Sequence, residues 1–469
     1  MPPQSFDIIV LGTGPAAGQV AARSAEAGRS VAMIEPHGVG GNCALRGCNP
    51  KKVLVHAAAL QDAVQRNQSR LIDVEAGRIP WPRLIDFTRE FVQPVSPRAL
   101  SKFTSKGIHV LEETARFLGP TTIAAGDHRL QAPAIVVATG AEPAPLTFPG
   151  AELVTSSDDF LTVPQLPPRV LFLGGGYISF EFAHVAARAG ARVTIVHRGE
   201  RPLKSFEPDL VDRLVAHTRS IGIAVELDTE PKGLHRDSDG ALLLTARRGR
   251  KAEPNQTVPY QTVPYQTVSY QADLIVHGAG RTPALRDLDL EAAGVESEAE
   301  GITVTDALRS VSNPHVFAAG DCAATGQPKL TPVADEQGAA IARTLIDGRD
   351  SRPHYGPVPR VVFTVPPLAA IGLTEHEAAS RGLSFEVRTD DSTTWTTNRK
   401  VNAGVAGYKI LVEKGTGRIL GAHLLGPDAD ETINLFALAM RFDLTADNLQ
   451  STQYAYPTFS ADIRKMLSH

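Results

Sequence analysis

The 469-residue chain is 42% hydrophobic and 21% charged, with a net charge of -4 and three cysteines. That is the composition of a soluble globular protein of about three domains, and it gives no electrostatic case for nucleic acid or an anionic membrane as partner. No apolar run reaches membrane-spanning length, Met1-Pro2-Pro3-Gln4-Ser5 lacks a signal peptide's basic start and long apolar core, and three cysteines do not make a secreted disulfide scaffold. A cytoplasmic location is expected.

The chain begins as strand, tight turn, helix and strand. Phe6–Leu11 has a buried-strand pattern, and Gly12-Thr13-Gly14-Pro15-Ala16-Ala17 supplies G-x-G-x-x-A before an Ala-rich helix that runs to Gly28. The first glycine permits the turn, the second lets backbone approach a pyrophosphate, and Ala17 keeps helix and strand close. The helix N-terminus favours phosphate charge. A second strand, Ser30–Ile34, ends in Glu35, which is placed for ribose hydroxyls.

About thirty residues after that turn comes Gly40-Gly41-Asn42-Cys43-Ala44-Leu45-Arg46-Gly47-Cys48-Asn49-Pro50-Lys51-Lys52. Two close thiols in a reducing cytosol are catalytic or redox-sensing more often than structural. They need a cofactor to supply or remove electrons. A disulfide requires Cα atoms roughly 4.4–6.8 Å apart. Residues at i and i+5 of a regular helix point about 140° apart, so the segment should leave regular helix, as Gly47 and Pro50 suggest.

The nucleotide pattern then recurs. Arg169–Leu173 leads into Gly174-Gly175-Gly176-Tyr177-Ile178-Ser179, a helix from Phe180 and a strand Arg192–Val196. Ser179 takes the third small position. Two such turns imply two nucleotides, one a permanently held flavin and one an exchangeable nicotinamide. After the second strand of the repeat stand His197, Arg198, Arg201 and Lys204, with Glu200 the only acid before Glu207. Cations there suit a 2′-phosphate, so NADPH is expected rather than NADH. A solvated basic loop is the alternative. The pentapeptide Gln256–Tyr260 repeats at Gln261–Tyr265 and, with Ser269 for Pro264, at Gln266–Tyr270. Its prolines restrict it to a loop or a sheet edge, and no chemistry is assigned to it. Ile135–Gly140 and Val316–Asp321 are further apolar strands ending in small-residue turns, and Asp321 suits a ribityl hydroxyl. From about Pro357 the pattern changes to alternating strands and amphipathic helices without a nucleotide turn, as expected of an oligomerisation domain.

In this order of parts the chain resembles the class I pyridine nucleotide-disulfide oxidoreductases, the group of glutathione reductase, dihydrolipoamide dehydrogenase and mercuric reductase. The motifs that carry the likeness are the Gly12 turn with Glu35, the Cys43/Cys48 segment, Ala138-Thr139-Gly140, the Gly174 turn, Gly278–Pro283, Gly320-Asp321, and Val361–Thr364 with Gly372–Glu375. The resemblance implies an α/β fold: two doubly wound nucleotide-binding domains plus a C-terminal α+β dimerisation domain. The expected domains are FAD-binding over 1–150 and 281–350, NAD(P)H-binding over 151–280, and interface over 351–469. It also implies that NADPH reduces FAD and FAD reduces a Cys43–Cys48 disulfide. Cys48 would face the flavin as charge-transfer thiolate, and Cys43 would attack substrate. Lys51 would pair with Glu181, and Tyr177 would cover an empty nicotinamide pocket, although a solvated lysine and a merely packed tyrosine fit the same residues. FAD contacts are implied at Gly12, Gly14, Pro15, Ala16, Ala17, Glu35, Gly41, Asn42, Lys52, Ala115, Thr139, Gly140, Gly280, Asp321 and Thr331. Nicotinamide-dinucleotide contacts are implied at Gly174, Gly176, Tyr177, Ile178, Arg198, Arg201 and Lys204. No metal site is expected.

The C-terminus departs from the family pattern. Glutathione and lipoamide enzymes place His-Pro-Thr there with a Glu five residues after the His, contributed to the partner's active site. Here Tyr456 replaces the histidine and Ala461 the glutamate, with Asp462 one position late. A phenol of pKa near 10 can donate a proton but is a poor base at pH 7. Ala22 and Ala339 stand where glutathione reductases carry substrate-binding arginines. Mercuric reductases share the tyrosine but usually add a C-terminal cysteine pair, whereas this chain ends Lys465-Met466-Leu467-Ser468-His469. The expected function is electron transfer from NADPH through FAD and Cys43–Cys48 to a non-glutathione disulfide or thiol-reactive acceptor. A metal-ion or quinone reductase and a slow flavin redox sensor are the alternatives. A homodimer sharing its active site between chains is expected.

Overall fold

The runs Ile8–Leu11, Val31–Ile34 and Ala134–Val137 are buried at every position, as strands covered on both faces must be. They pair in parallel, and with Val316–Ala318 and His109–Leu111 they form a five-stranded sheet in the order Val316, Ala134, Ile8, Val31, His109. This computed structural model describes residues 2–75, 77–249 and 265–468. The chain divides into two compact units, and this sheet lies in the first, made of Met1–Lys51, Asp86–Ala144 and Arg281–Gly356. The same unit holds a smaller four-stranded sheet of Gln4–Ser5, His128–Gln131, Thr122–Ala125 and Ala115–Gly119.

The second unit is Lys52–Ile85, Pro145–Gly280 and Pro357–His469. Its parallel sheet runs Ala224–Glu226, Arg192–Val196, Arg169–Leu173, Leu274–His277. The two glycine turns are built alike. Gly12 has φ +106°, and a Cβ there would lie 2.4 Å from the Ala138 carbonyl oxygen. Gly174 has φ +104°, and a Cβ would lie 2.2 Å from that of Gly278. In each turn the backbone presses on the neighbouring strand's end, and only glycine fits.

Beside this sheet, Thr229–Arg236, Leu242–Arg248 and Gln266–Ala272 form an antiparallel sheet with the last at its edge. That edge strand contains the third pentapeptide copy; residues 256–264 of the repeat lie outside the described residues. The third copy has Ser269 in place of proline, which leaves every residue able to join the ladder.

The C-terminal part is a five-stranded antiparallel sheet of Arg360–Val362, Leu368–Gly372, Ile419–Leu425, Gly407–Glu413 and Phe385–Asp391. Helix Ala429–Arg441 covers one face through Ile433 and Phe436, which pack with Ile371, Ile410 and Leu424. Leu210 and Leu214 of helix Pro208–Ser220 join Leu368 and Ala370 in a separate core. Burying a ring such as Phe436 contributes about 1.5–3 kcal/mol, so these faces and not local propensity decide the arrangement. The fold is α/β, with two doubly wound nucleotide-binding regions and a C-terminal α+β domain. No helix of the described residues is long and apolar enough to cross a membrane.

Candidate active site

In the first unit, Gly14 caps the helix Pro15–Glu26, whose first turn holds Pro15, Ala16 and Ala17 and has no acidic side chain to repel phosphate. Glu35 is buried just past its strand, where its carboxylate accepts from Thr13 N (3.2 Å), Thr13 Oγ1 (2.9 Å) and His37 N (3.0 Å). These donors fix the acid before any ligand arrives. Ala115 opens its strand and is buried. Thr139 Oγ1 donates to the Ala284 carbonyl at 2.8 Å, fixing the turn to Gly140. Asp321 sits in a 3-10 turn, where burial pushes its carboxyl up.

The cysteine segment leaves regular helix as its spacing required. Helix Gly41–Leu45, which includes Asn42 and Cys43, ends at Arg46 with φ -138°. A second helix, Cys48–Asn67, begins at the other cysteine, so Cys48 lies in its first turn with Lys51 and Lys52 following. Both cysteines carry free thiols. Thr331, the first residue of helix Thr331–Asp347, donates its hydroxyl to Cys43 Sγ at 3.3 Å. A hydrogen bond from the Cys48 thiol, with those from Thr331 and the Cys48 N–H and the charge of Lys51, pulls the Cys43 thiol down to about 6 against the opposing effect of burial. The resemblance implies that Cys48 faces the flavin as charge-transfer thiolate and that Cys43 attacks substrate; the donors described here act on Cys43. Cys322, by contrast, is wholly buried and its thiol is pushed up.

In the second unit, Gly176 caps the helix Tyr177–Arg188. Tyr177 packs on Phe206 at 5.5 Å, Ile178 is half-buried beside it, and Ser179 Oγ donates to the Leu173 carbonyl at 3.2 Å. The His197 ring lies against Gly175, where a Cβ would fall 2.6 Å from it, and burial lowers its pKa. His197 is therefore a packing residue, and the exposed cations after the strand are Arg198, Arg201 and Lys204. Arg201 makes a loose ion pair with Asp212 at 3.6 Å. Gly280 follows the sheet's last strand with φ +117°. Glu181 is 1% exposed, and its Oε1 accepts from Phe363 N at 2.8 Å. Lys52 lies 3.5 Å above the Phe363 ring and 3.7 Å from Asp430.

The C-terminal segment is different in character. Tyr456 is 84% exposed, and Ala461 lies in the 3-10 turn Ser460–Asp462. Asp462 accepts a hydrogen bond from the Thr397 hydroxyl, and burial raises its carboxyl pKa. Its side chain is committed to its own domain, so it does not replace the missing glutamate.

A family model described as pyridine nucleotide-disulphide oxidoreductase matches residues 6–338, and the family's dimerisation-domain model matches residues 358–467. The chain belongs to the pyridine nucleotide-disulphide oxidoreductase family. It is 28% identical to a glutathione reductase of Burkholderia cepacia over 97% of each chain. It is 29% identical to dihydrolipoyl dehydrogenase 3 of Haloarcula marismortui, over 98% of this chain and 95% of that one. It is 30% identical to a mercuric reductase of Streptomyces lividans over 98% of each. Relatives named for three different acceptors leave this family member's own acceptor open.

As a member of the family, the protein is a flavin-dependent oxidoreductase that uses FAD and NAD(P)H, and its dimerisation domain indicates a homodimer. The first glycine turn fits FAD on its own geometry: any Cβ on Gly12 would collide with backbone, Glu35 is pre-set, and the half-buried Asp321 carboxyl can accept from donors such as ribityl hydroxyls. Sequence reasoning missed Thr13, which holds Glu35 and whose Oγ1 accepts from Gly40 N at 2.9 Å. It also missed the Phe363 N–H on Glu181. Thr13 occupies a variable position of the glycine motif, and a backbone N–H leaves no mark in sequence.

Proposed function

We propose that the protein reduces the Cys43–Cys48 pair with electrons from NADPH and passes them to a non-glutathione disulfide or thiol-reactive acceptor. The observation that carries this reading is the set of donors around Cys43. A thiol held to about 6 is mostly thiolate at pH 7, the form that attacks sulfur or binds a soft electrophile. FAD, when bound, supplies two-electron exchange between the nicotinamide and the cysteine pair. Gly12, Gly14, Glu35, Thr139 and Asp321 would hold it, and Arg198, Arg201 and Lys204 would take the 2′-phosphate of NADPH.

With a disulfide acceptor, the Cys43 thiolate forms a bond to one acceptor sulfur as the acceptor S–S bond breaks and the first thiolate leaves. Cys48 then gives its proton to the first released thiolate, attacks Cys43 Sγ and releases the second thiolate, which takes its proton from solvent, and the Cys43–Cys48 disulfide is restored. The net change is two electrons and two protons to the acceptor. Tyr456 of the partner subunit would be the acid nearest the leaving sulfur, and Lys51 with Glu181 would serve the nicotinamide side. Ala339 is buried and Ala22 half-buried, which offers no charge for a tripeptide carboxylate.

Tyr456 also favours a second reading, in which the acceptor is a metal ion or quinone that needs no proton from a His–Glu pair. Its standing in place of the histidine, with a mercuric reductase among the relatives, supports this. The test is an anaerobic stopped-flow NADPH titration followed by a panel of disulfides, metal ions and quinones, with wild type and Cys43→Ser. The proposal expects turnover of a disulfide or thiophilic ion that collapses in Cys43→Ser. Turnover restricted to quinones and retained in Cys43→Ser would overturn it, and negligible NADPH oxidation with every acceptor would leave a redox sensor.

A further inference from the structure

We propose that His184 and Arg188 are positioning residues for Glu181, pinning the backbone of Phe363–Val365 so that one peptide N–H holds the Glu181 carboxylate during the nicotinamide half-reaction. The inference rests on the reading that Glu181 serves that half-reaction. Glu181, His184 and Arg188 recur at i, i+3 and i+7 of helix Tyr177–Arg188, which places them on one face. All three bind backbone of Phe363 or Val365 in the same stretch. Glu181 Oε1 accepts from Phe363 N at 2.8 Å, His184 Nδ1 accepts from Val365 N at 3.2 Å, and Arg188 Nη2 donates to the Val365 carbonyl at 3.0 Å.

The network around this clamp is closed. Arg188 Nη1 also faces His184 Nδ1 at 3.3 Å, so the ring proton sits on Nε2 and is donated to Thr218 Oγ1 at 3.0 Å. The Thr218 hydroxyl in turn donates to the Leu214 carbonyl at 2.8 Å. Asp62, on the helix that starts at Cys48, accepts Arg188 Nη2 at 2.7 Å and Arg66 Nε at 2.6 Å. His217 Nε2 stands 3.3 Å from the Val365 carbonyl.

Two features point to positioning beyond mere packing. The stretch Phe363–Pro367 lies between two strands; Gly426 N reaches the Pro367 carbonyl at 3.2 Å, and side chains hold the Phe363 N–H and both backbone groups of Val365. A buried Arg–Asp pair is costly to desolvate, and apolar side chains would join the same elements more cheaply. The network's output is the Phe363 N–H aimed at a carboxylate that is almost wholly buried.

The test uses the FAD-loaded enzyme with His184→Leu, His184→Asn and Glu181→Gln, and His184→Leu combined with Glu181→Gln. Asparagine keeps an acceptor near the Nδ1 position. His184→Leu is expected to speed amide hydrogen exchange at Phe363 and Val365, and to slow NADPH-driven flavin reduction roughly tenfold at unchanged NADPH affinity. His184→Asn should restore both, and the double variant should be no slower than Glu181→Gln alone. If His184→Leu fails to fold, Arg188→Lys, which keeps charge beside Asp62 but loses the Val365 bond, carries the same readouts. Faster exchange with an unchanged rate would overturn the positioning role alone, as would full additivity with Glu181→Gln. An unchanged rate in Glu181→Gln would instead overturn the reading of Glu181, and the proposal with it.

Discussion

Around Cys43 the neighbours help a sulfur hold negative charge: the Cys48 thiol and N–H, the Thr331 hydroxyl and the Lys51 ammonium. Around Tyr456 the corresponding equipment is gone. The phenol is exposed, position 461 is alanine, and Asp462 is tied to Thr397. The cysteine segment is furnished for holding charge, and the C-terminal segment lacks the His–Glu pair of its relatives. The contrast separates the two tasks, and it underlies the proposal of an acceptor that leaves without a strong acid–base pair.

The largest expected effect breaks the cysteine segment. Cys43→Ser should lower turnover of thiol-reactive acceptors by roughly 10³-fold or more, while NADPH still bleaches the flavin. Turnover within tenfold of wild type would mean that electrons leave elsewhere. Rebuilding the His–Glu pair comes next: Tyr456→His with Ala461→Glu should raise disulfide reduction at pH 7 by about 10²-fold, as general acid–base catalysis typically does. No gain would show that something other than the missing pair limits disulfide exchange.

A smaller effect concerns the thiol itself. Its lowered pKa means that the anion is present above about 6 and lost as pH falls through that value. Iodoacetamide alkylation of Cys43 in the NADPH-reduced enzyme should therefore rise through pH 6 and flatten above it. Thr331→Val should move that midpoint up by about one unit, the worth of one hydrogen bond to a charged group. The smallest expected effect is Asp462→Asn, which should change turnover less than about twofold because its side chain is tied to Thr397 and an asparagine oxygen can still accept that hydroxyl. A tenfold loss would restore Asp462 as a stand-in base.

Much of this was legible in the chain. The paired glycine turns announce two nucleotide folds because only glycine tolerates a backbone at Gly12 and Gly174 that abuts the next strand. Gly47 and Pro50 announced the break between the cysteines, since a regular helix cannot bring them together. Tyr456 and Ala461 were visible as substitutions. What stayed hidden depends on contacts across long sequence separations. Nothing near Cys43 names Thr331 as its donor, and nothing near Asp62 names Arg188. His197 looked like one more cation for a phosphate, yet its ring is spent packing on Gly175. Local pattern shows where a turn or helix must be, but a side chain's partner is set by which elements the fold stacks together.

The central claim is that the cysteine pair receives the electrons. Oxidised holoenzyme treated anaerobically with one equivalent of NADPH, quenched with an alkylating agent and mapped by mass spectrometry, tests it directly. The account predicts two newly alkylated thiols per chain, at Cys43 and Cys48, with Cys322 unmodified. A bleached flavin with no new thiols at Cys43 and Cys48 would contradict it.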